Sequence, residues 1–113
     1  MSEVAPAIGS LSDRVQLKRR EFNGESEGGF VAVFVPLATV WARVRALTGR
    51  TGTSADGRSV SLSHVVVLRF RADLKAGDRM VYRGQALEVI GVADLNGRRA
   101  YLSCQCSAIS VTG

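Results

Sequence analysis

Two cysteines and one histidine carry the most reactive side chains of this 113-residue chain. Cys104 and Cys106 stand two positions apart, and His64 is the only histidine. Side chains two apart on a strand point the same way, and a disulfide between them would be strained. A metal site needs more ligands than these. The spacing therefore predicts two reduced cysteines that fill a core in a cytosolic protein, with no metal and no cofactor.

The remaining polar residues form no arrangement typical of catalysis. His64 has no motif partner and is expected at a strand end rather than as a general base. The glycine-rich stretch TGRTGTSADGR lacks the Gly-Lys-Ser/Thr ending of a P-loop. Acidic residues stand mostly in turn-like segments, where aspartate caps and bends the chain; they are Asp56, Asp73, Asp78, Glu88 and Asp94. We therefore expect no catalytic residues and no enzymatic activity.

Basic residues outnumber acidic ones, and the net charge of +5 favours acidic partners or nucleic acid. All but two of the basic residues are arginine, which suits bidentate contacts with carboxylates and phosphates. Small barrels bind single-stranded nucleic acid through aromatic residues in a basic groove. Trp41 is the only aromatic residue interleaved with arginines expected to be exposed. A nucleic-acid surface and a solvated basic face both remain open on these residues alone.

Alternation of apolar and polar residues predicts the strands that position these side chains. In TVWARVRALTGR, Trp41, Arg43 and Arg45 share one face and small apolar residues occupy the other. Similar patterns run through DRVQLKRRE, HVVVLRFRA, RMVYRGQALEVIGV and RRAYLSCQCSAISV. The inward residues are predicted to be Val15, Leu17, Val40, Ala42, Val44, Val66, Leu68, Phe70, Leu102, Cys104 and Cys106. We predict an all-β fold, a small six-stranded antiparallel β-barrel with two long loops.

Turn residues and glycines divide the chain between these strands. Asn96-Gly97 predicts a two-residue hairpin, Lys75–Asp78 a turn, and Gly91 a β-bulge. Residues 22–34 and 48–63 are both longer than the usual hairpin loop of about 2–5 residues. Residues 1–7 are expected to be a flexible arm, and residues 8–113 a single domain. No apolar run approaches the roughly 18 residues of a membrane span, and MSEVAPAIGS is not expected to be a signal peptide.

Four segments together resemble the head–tail joining proteins of tailed phages, also called head completion, connector or stopper proteins. The segments are IGSLSDRVQLKRR, VWARVRALTGR, SHVVVLRFR and AGDRMVYRGQALEVIGVAD. The resemblance extends from about Ile8 to Cys106 and is most specific in Val40–Arg50 and Ser63–Arg71. Members often have a helix-forming stretch between those two segments. Here TGTSADGRSVSL has no helix pattern, so we predict no stable helix there.

The resemblance implies a barrel that assembles as a six- or twelve-fold ring between the portal-proximal adaptor and the tail or tail terminator. Such a ring completes the head, retains the packaged double-stranded DNA that passes through its lumen, and docks the tail. The implied location is the head–tail junction of a virion or phage-like particle, after assembly in the host cytoplasm. Phages, prophages and gene transfer agents all encode such proteins. The alternative on the residues alone is a small nucleic-acid-binding barrel.

Two sets of residues are the candidate sites of such a subunit. A subunit or ring interface is expected at Trp41, Arg43, Arg45, Arg14, Lys18, Arg19 and Arg20. A poorly ordered loop that gates the lumen or contacts DNA is expected at Thr48, Gly49, Arg50, Gly52, Asp56, Gly57 and Arg58. The alternatives are a loop that clasps the next subunit or the tail, and a Trp41 covered by its own chain's long loop.

Overall fold

The computed structural model describes residues 11–24 and 30–109, which form six strands and one short 3-10 turn. The strands are β1 (Asp13–Gly24), β2 (Phe30–Thr53), β3 (Ser59–Arg69), β4 (Arg79–Tyr82), β5 (Gln85–Asp94) and β6 (Tyr101–Ala108). Residues 1–7, expected to be a flexible arm, lie outside the described residues. No helix in the described part of the chain is long and apolar enough to cross a membrane.

Neighbouring strands are antiparallel, and the sheet closes on itself in the order β1-β2-β3-β6-β5-β4. Closure occurs between β1 and β4, which share three residue pairs: Gln16–Val81, Leu17–Met80 and Lys18–Arg79. A closed sheet leaves no unpaired edges along its paired length. The predicted six-stranded antiparallel all-β barrel is therefore confirmed.

The barrel interior is filled by the alternating apolar residues. The core cluster contains Val15, Leu17, Ala42, Val66, Leu68, Leu74, Met80, Leu87, Val89, Leu102, Cys104 and Cys106. Val40, Val44 and Phe70 are half-buried and pack against this cluster. Full burial of a valine, leucine or methionine side chain stabilises the fold by about 1.5–3 kcal/mol. The predicted inward faces of β1, β2, β3 and β6 are thus confirmed.

Both cysteines are free thiols in that core. Burial raises the pKa of Cys104 to about 12 and raises the pKa of Cys106 further. A thiol held protonated in an apolar environment is a poor nucleophile and a poor metal ligand. The predicted role of the pair as reduced core residues agrees with this placement.

A buried aspartate, Asp78, holds the short seam between β1 and β4. Its carboxylate accepts the backbone N–H of Arg20 at 3.0 Å and that of Lys75 at 3.1 Å. Its backbone carbonyl accepts the N–H of Val89 on β5 at 2.8 Å. The side chain is fully buried, and a carboxylate there is tolerated because its oxygens are hydrogen-bonded. The local sequence predicts a turn at Asp78 and carries no sign of this contact with β1.

Three register shifts bend the strands, at Leu17/Lys18, Ala46/Arg50 and Val89/Gly91. The last confirms the bulge predicted at Gly91, because Val89 pairs with Cys106, Gly91 pairs with Gln105, and Ile90 is the extra residue. Such bulges increase the local twist that a small barrel requires.

The turn at Lys75–Asp78 is confirmed, with Gly77 at a φ of 98° and the Asp78 N–H donating to the Lys75 carbonyl. The two-residue hairpin at Asn96-Gly97 is wrong. Both residues have the expected positive φ, 61° and 67°, but β5 ends at Asp94 and β6 begins at Tyr101. The longer connection has a physical reason, since it brings Leu95 onto the outer face of β3, where it is buried.

The two predicted long loops are also wrong, because strands occupy most of each. Residues 22–24 belong to β1 and residues 30–34 to β2, with 25–29 outside the described residues. Residues 48–53 belong to β2 and residues 59–63 to β3, so this segment is a β-hairpin. The absence of a helix in TGTSADGRSVSL is confirmed. We refer to residues 48–63 as the β2–β3 hairpin.

Candidate functional site

The outer face of β2 presents Trp41, the chain's only tryptophan, and its side chain is 53% exposed. Arg14 is its partner on β1, and the Arg14 guanidinium lies over the indole, 5.0 Å from the ring centroid. On the other side, Ala42 pairs with Leu68 of the antiparallel strand β3. Arg69 of β3 therefore lies beside Trp41. A cation over an exposed indole contributes about 0.5–1 kcal/mol. Trp41 is therefore flanked by arginines, and within residues 11–24 and 30–109 no long loop covers it.

Arg43 and Arg45 lie on the same outer face, paired with Val67 and Val65 of β3. Those two valines are buried although they point away from the barrel interior. They form an outer cluster, which consists of Val65, Val67 and Leu95 with Leu47 and Tyr101 packed against it. The outer cluster gives the predicted arginine face a rigid apolar support.

The basic residues further along β1 have contacts within the chain. The Arg19 side chain pairs with Glu21 at 2.9 Å. The Arg20 guanidinium lies 5.0 Å from the Phe22 ring centroid. It occupies the space over Gly77, where an added Cβ would come within 2.6 Å of it. Lys18 lies in the closing seam opposite Arg79. The structure thus separates Arg14, which accompanies Trp41, from the other three residues of the predicted basic group.

The β2–β3 hairpin ends in a tightly bonded turn, Ser54–Arg58. Gly57 has a φ of 87°, and its N–H donates to the Ser54 carbonyl at 2.9 Å. The Ser54 hydroxyl donates to the Asp56 carboxylate and accepts the Arg58 N–H at 3.0 Å. A turn followed by a left-handed residue is a common three-residue hairpin. This hydrogen-bonded tip stands where a poorly ordered loop was expected.

Charges at the tip compensate one another. Arg58 pairs with Asp56 at 2.9 Å and reaches Glu88 on β5 at 3.3 Å. The Ser54 hydrogen bond, followed by the Arg58 contacts, lowers the pKa of Asp56 to about 2. The same carboxylate raises the pKa of Arg58. Of the two arginines expected to meet DNA, Arg58 is already engaged, whereas Arg50 is exposed.

The hairpin also packs against the barrel through a glycine. A Cβ built on Gly52 would lie 3.1 Å from Leu62 Cδ2 and 3.2 Å from Ile90 Cγ2. Only glycine allows so close an approach without displacing its neighbours. Gly49, at a φ of 71°, lies in the register shift where β2 bends. The hairpin is thus a folded arm in contact with β5; its expected role as a gate stays a prediction.

A serine–histidine contact lies on β3, but its bonds are structural. His64 is inside β3 and pairs with Cys106, so its expected place at a strand end is wrong. The Ser63 hydroxyl lies 2.8 Å from the His64 Nδ1 and accepts the Ala108 N–H at 2.7 Å. It thereby joins β3 to the end of β6. Within residues 11–24 and 30–109, no three His, Cys, Asp or Glu side chains are grouped to hold a metal ion.

Comparison with known proteins identifies the fold's relatives. The family described as phage head completion protein matches residues 6–109. Head completion protein gp7 of Enterobacteria phage HK97 is 28% identical over 107 residues, which cover 88% of this chain and 96% of gp7.

Two solved structures share the fold. Protein SF1141 of Shigella flexneri 2a has a TM-score of 0.66 and 22% identity, covering 89% of this chain and 95% of that chain. A chain in the virion of a native gene transfer agent particle has a TM-score of 0.61 and 21% identity, covering 87% and 94%. On the match over residues 6–109, the chain belongs to the phage head completion protein family, as its four segments indicated.

Proposed function

We propose that this head completion protein is a non-catalytic ring subunit that sits between the portal-proximal adaptor and the tail. The observation that carries the proposal is the family match over residues 6–109 of a closed barrel. The likeness to a chain of a gene transfer agent virion supports the same placement. In this role the ring retains the packaged DNA and offers the tail a docking surface.

The arginine-flanked Trp41 face is proposed as the contact with the next subunit or with the adaptor. A ring is built from two different surfaces that meet head to tail. Tryptophan and arginine dominate the binding energy of protein interfaces, and Trp41 is half exposed on a rigid sheet. Arg43 and Arg45 have no carboxylate within 4.0 Å among the described residues. Acidic residues of a neighbour would supply those partners.

The β2–β3 hairpin is proposed as the element that faces the lumen. Its exposed Arg50 suits phosphate, and the Asp56–Arg58–Glu88 contacts hold the tip in one conformation. Replacing Arg50 with alanine, with Thr51→Ala as the matched control, should give tailed particles that lose DNA. Full DNA retention with failed tail attachment would make the hairpin a docking element and refute the gate.

Particles made without this chain test the proposal as a whole. Electron microscopy of a deletion strain should show filled or leaking heads that lack tails, and the wild-type gene should restore tails. A double Arg43→Ala, Arg45→Ala variant should restore few tails while remaining folded when isolated. Normal tailed particles in the deletion strain would refute the structural role.

The isolated subunit separates the ring proposal from a nucleic-acid-binding barrel. A ring subunit is expected to be a monomer or weak oligomer in dilute solution by analytical ultracentrifugation, because we expect each ring contact to be small and the ring to form on the connector. Its binding to single-stranded DNA should be weak in a filter assay at two salt concentrations. Tight binding that falls steeply with salt is the signature of phosphate contacts and would favour the alternative; a stable, discrete dimer would contradict the expected oligomeric state.

A further inference from the structure

The outer face of the β1–β2 pair carries an exposed apolar patch beyond the seam that closes the barrel. Phe22 on β1 is 58% exposed and pairs with the exposed Ala32 on β2. Two positions nearer the seam, Arg20 pairs with Phe34, and the Arg79 guanidinium lies 3.8 Å from the Phe34 ring centroid. We call Phe22, Ala32 and Phe34 the phenylalanine patch. An apolar patch rimmed by charged side chains is typical of a protein-binding surface.

An open groove lies on the outer face of the β5–β6 pair. It has a volume of about 230 Å³ and is lined by Gly91, Val92, Ala93, Ser103 and Gln105. Gly91 pairs with Gln105 and Ala93 pairs with Ser103, so these four positions lie on the outer face of the sheet. Small-molecule sites occupy about 300–1,000 Å³, so a groove of this size suits a single side chain of a partner protein. We call it the β5–β6 groove.

The phenylalanine patch and the β5–β6 groove lie on opposite sides of the barrel. In the closed order β1-β2-β3-β6-β5-β4, β6 is three places from β1, and β5 is three places from β2. Three places are half of the circumference of this six-stranded barrel. Two different surfaces on opposite sides of a subunit join copies head to tail, and such contacts produce a ring when the rotation between copies closes. This placement therefore favours a second copy of the chain as the occupant of the groove.

The charges around the two surfaces are complementary. Lys18 and Arg20 adjoin the phenylalanine patch on β1, and neither side chain has a carboxylate within 4.0 Å among residues 11–24 and 30–109. Asp94 follows Ala93 of the groove. Its carboxylate accepts the backbone N–H of Arg99 at 3.0 Å and forms no ion pair within the described ranges. Complementary charges of this kind fix the register of a contact and suppress wrong partners.

We propose that Phe22 of one copy of this chain enters the β5–β6 groove of a second copy, so that consecutive subunits meet head to tail. Lys18 and Arg20 of the first copy then lie beside Asp94 of the second. The inference rests on the proposed ring and names the two surfaces that build it. Trp41 lies seven positions from Phe34 along β2, which is about 23 Å at about 3.3 Å per residue, and it stays free for the adaptor.

Cross-linking in assembled particles tests this contact. Ala32 pairs with Phe22 and Gln105 lines the groove, and both residues are exposed. In particles that carry Ala32→Cys and Gln105→Cys together, a short bis-maleimide should join successive subunits and give a ladder of covalent multimers on a denaturing gel. The parent should give no ladder, because burial raises the pKa of Cys104 and Cys106 and keeps both thiols unreactive.

The matched control moves one cysteine along the same face of β2. Thr39 is exposed and pairs with Gln16, and it lies about 23 Å from Ala32 along the strand. Thr39→Cys with Gln105→Cys should therefore give no ladder. A second pair, Phe22→Cys with Ala93→Cys, repeats the test if the first variant does not assemble.

A change to either surface should break the contact in the cross-linkable chain. Phe22→Ser removes the ring that enters the groove, and Ala93→Phe fills the groove with a side chain of its own subunit. Each should lower the cross-linked fraction about tenfold, as expected for the loss of a central interface residue, with the circular dichroism of the isolated chain unchanged. Thr39→Ser should leave the cross-linked fraction as it is.

The absence of a ladder from both cysteine pairs would overturn the proposal. Dimers formed by Ala32→Cys alone would also overturn it, because two copies would then meet through the same surface rather than head to tail. If tails still require this chain in the deletion strain, the proposed function survives either result. Normal tailed particles without the chain refute the proposed function itself, so the two failures are distinguishable.

Discussion

Replacing Asp78 with alanine tests how the barrel is closed. The substitution removes the acceptor of two backbone N–H groups, those of Arg20 at 3.0 Å and Lys75 at 3.1 Å. A donor left without a partner away from water costs about 1–3 kcal/mol, so two cost about 2–6 kcal/mol. Removing a buried carboxylate relieves part of its desolvation. We expect a net loss of about 3 kcal/mol against a typical total of about 5–15 kcal/mol.

Urea and thermal unfolding measure this loss. A fall of about 3 kcal/mol corresponds to a midpoint lower by about 12 °C, at about 4 °C per kcal/mol for a chain of this size. Since β1 and β4 share three residue pairs, hydrogen exchange at Leu17 and Met80 should accelerate more than exchange along the β3–β6 pairing. The local readout distinguishes an opened seam from a general loss of stability.

The matched control is Asp73→Ala, in the connection before Asp78. Asp73 pairs with Arg71 at 2.6 Å, but its side chain is 46% exposed. Exposed ion pairs contribute about 0–1 kcal/mol, so this variant should unfold nearly as the parent does. A loss in Asp78→Ala within 1 kcal/mol of that in Asp73→Ala, with no change at the seam, would refute the closure argument.

Three further changes probe the hairpin and the core. Gly52→Val forces side-chain atoms against Leu62 and Ile90, which an added Cβ would already approach to 3.1 and 3.2 Å, and should cost about 1–3 kcal/mol in urea unfolding. The pKa of Asp56 is lowered to about 2 by the Ser54 hydroxyl and a neighbouring guanidinium. Its contribution to the tip is therefore complete above its ordinary pKa of 3.8 and is lost as pH falls towards 2, which amide exchange at the tip should report. Burial raises the pKa of both cysteines, so a thiol reagent at mildly alkaline pH should react only as fast as the chain unfolds.

Each of these has a contrary result. Thr53 is exposed beside Gly52, and Thr53→Val hardly changes the size of its side chain, so it should change stability little. An equal loss in Thr53→Val and Gly52→Val would remove the packing argument. If the protection factors of the tip amides do not change between pH 4 and pH 2, the ionised Asp56 carboxylate contributes nothing to the tip. Thiol modification that is fast in the folded protein would show that the cysteines are accessible.

The strand faces could be predicted because a period of two separates a barrel's inside from its outside. Val15, Leu17 and Ala42 follow that rule and are fully buried. The extensions of the strands could not, since the β2 side of the hairpin packs against Leu62 and Ile90 through a glycine rather than through an alternating apolar pattern. Gly52 and Thr53 therefore have the composition of a loop while lying in β2.

Contacts between distant segments were missed for a different reason. Val65 and Val67 follow the predicted alternation, but only the fold brings Leu95 over them. Asp78 reads locally as a turn residue, and its bond to the Arg20 backbone spans 58 positions. Of the candidate interface, Trp41, Arg43 and Arg45 share the predicted face, whereas Arg19 and Arg20 are engaged within their own chain.

A reconstruction of the head–tail junction by electron cryomicroscopy, from particles that contain this chain, tests the central claim most directly. We predict that density for the six-stranded barrel forms a closed ring between the adaptor and the tail, with Trp41 at a contact between molecules and the β2–β3 hairpin facing the lumen. Density for the barrel elsewhere in the particle, or a junction complete without it, would contradict the account.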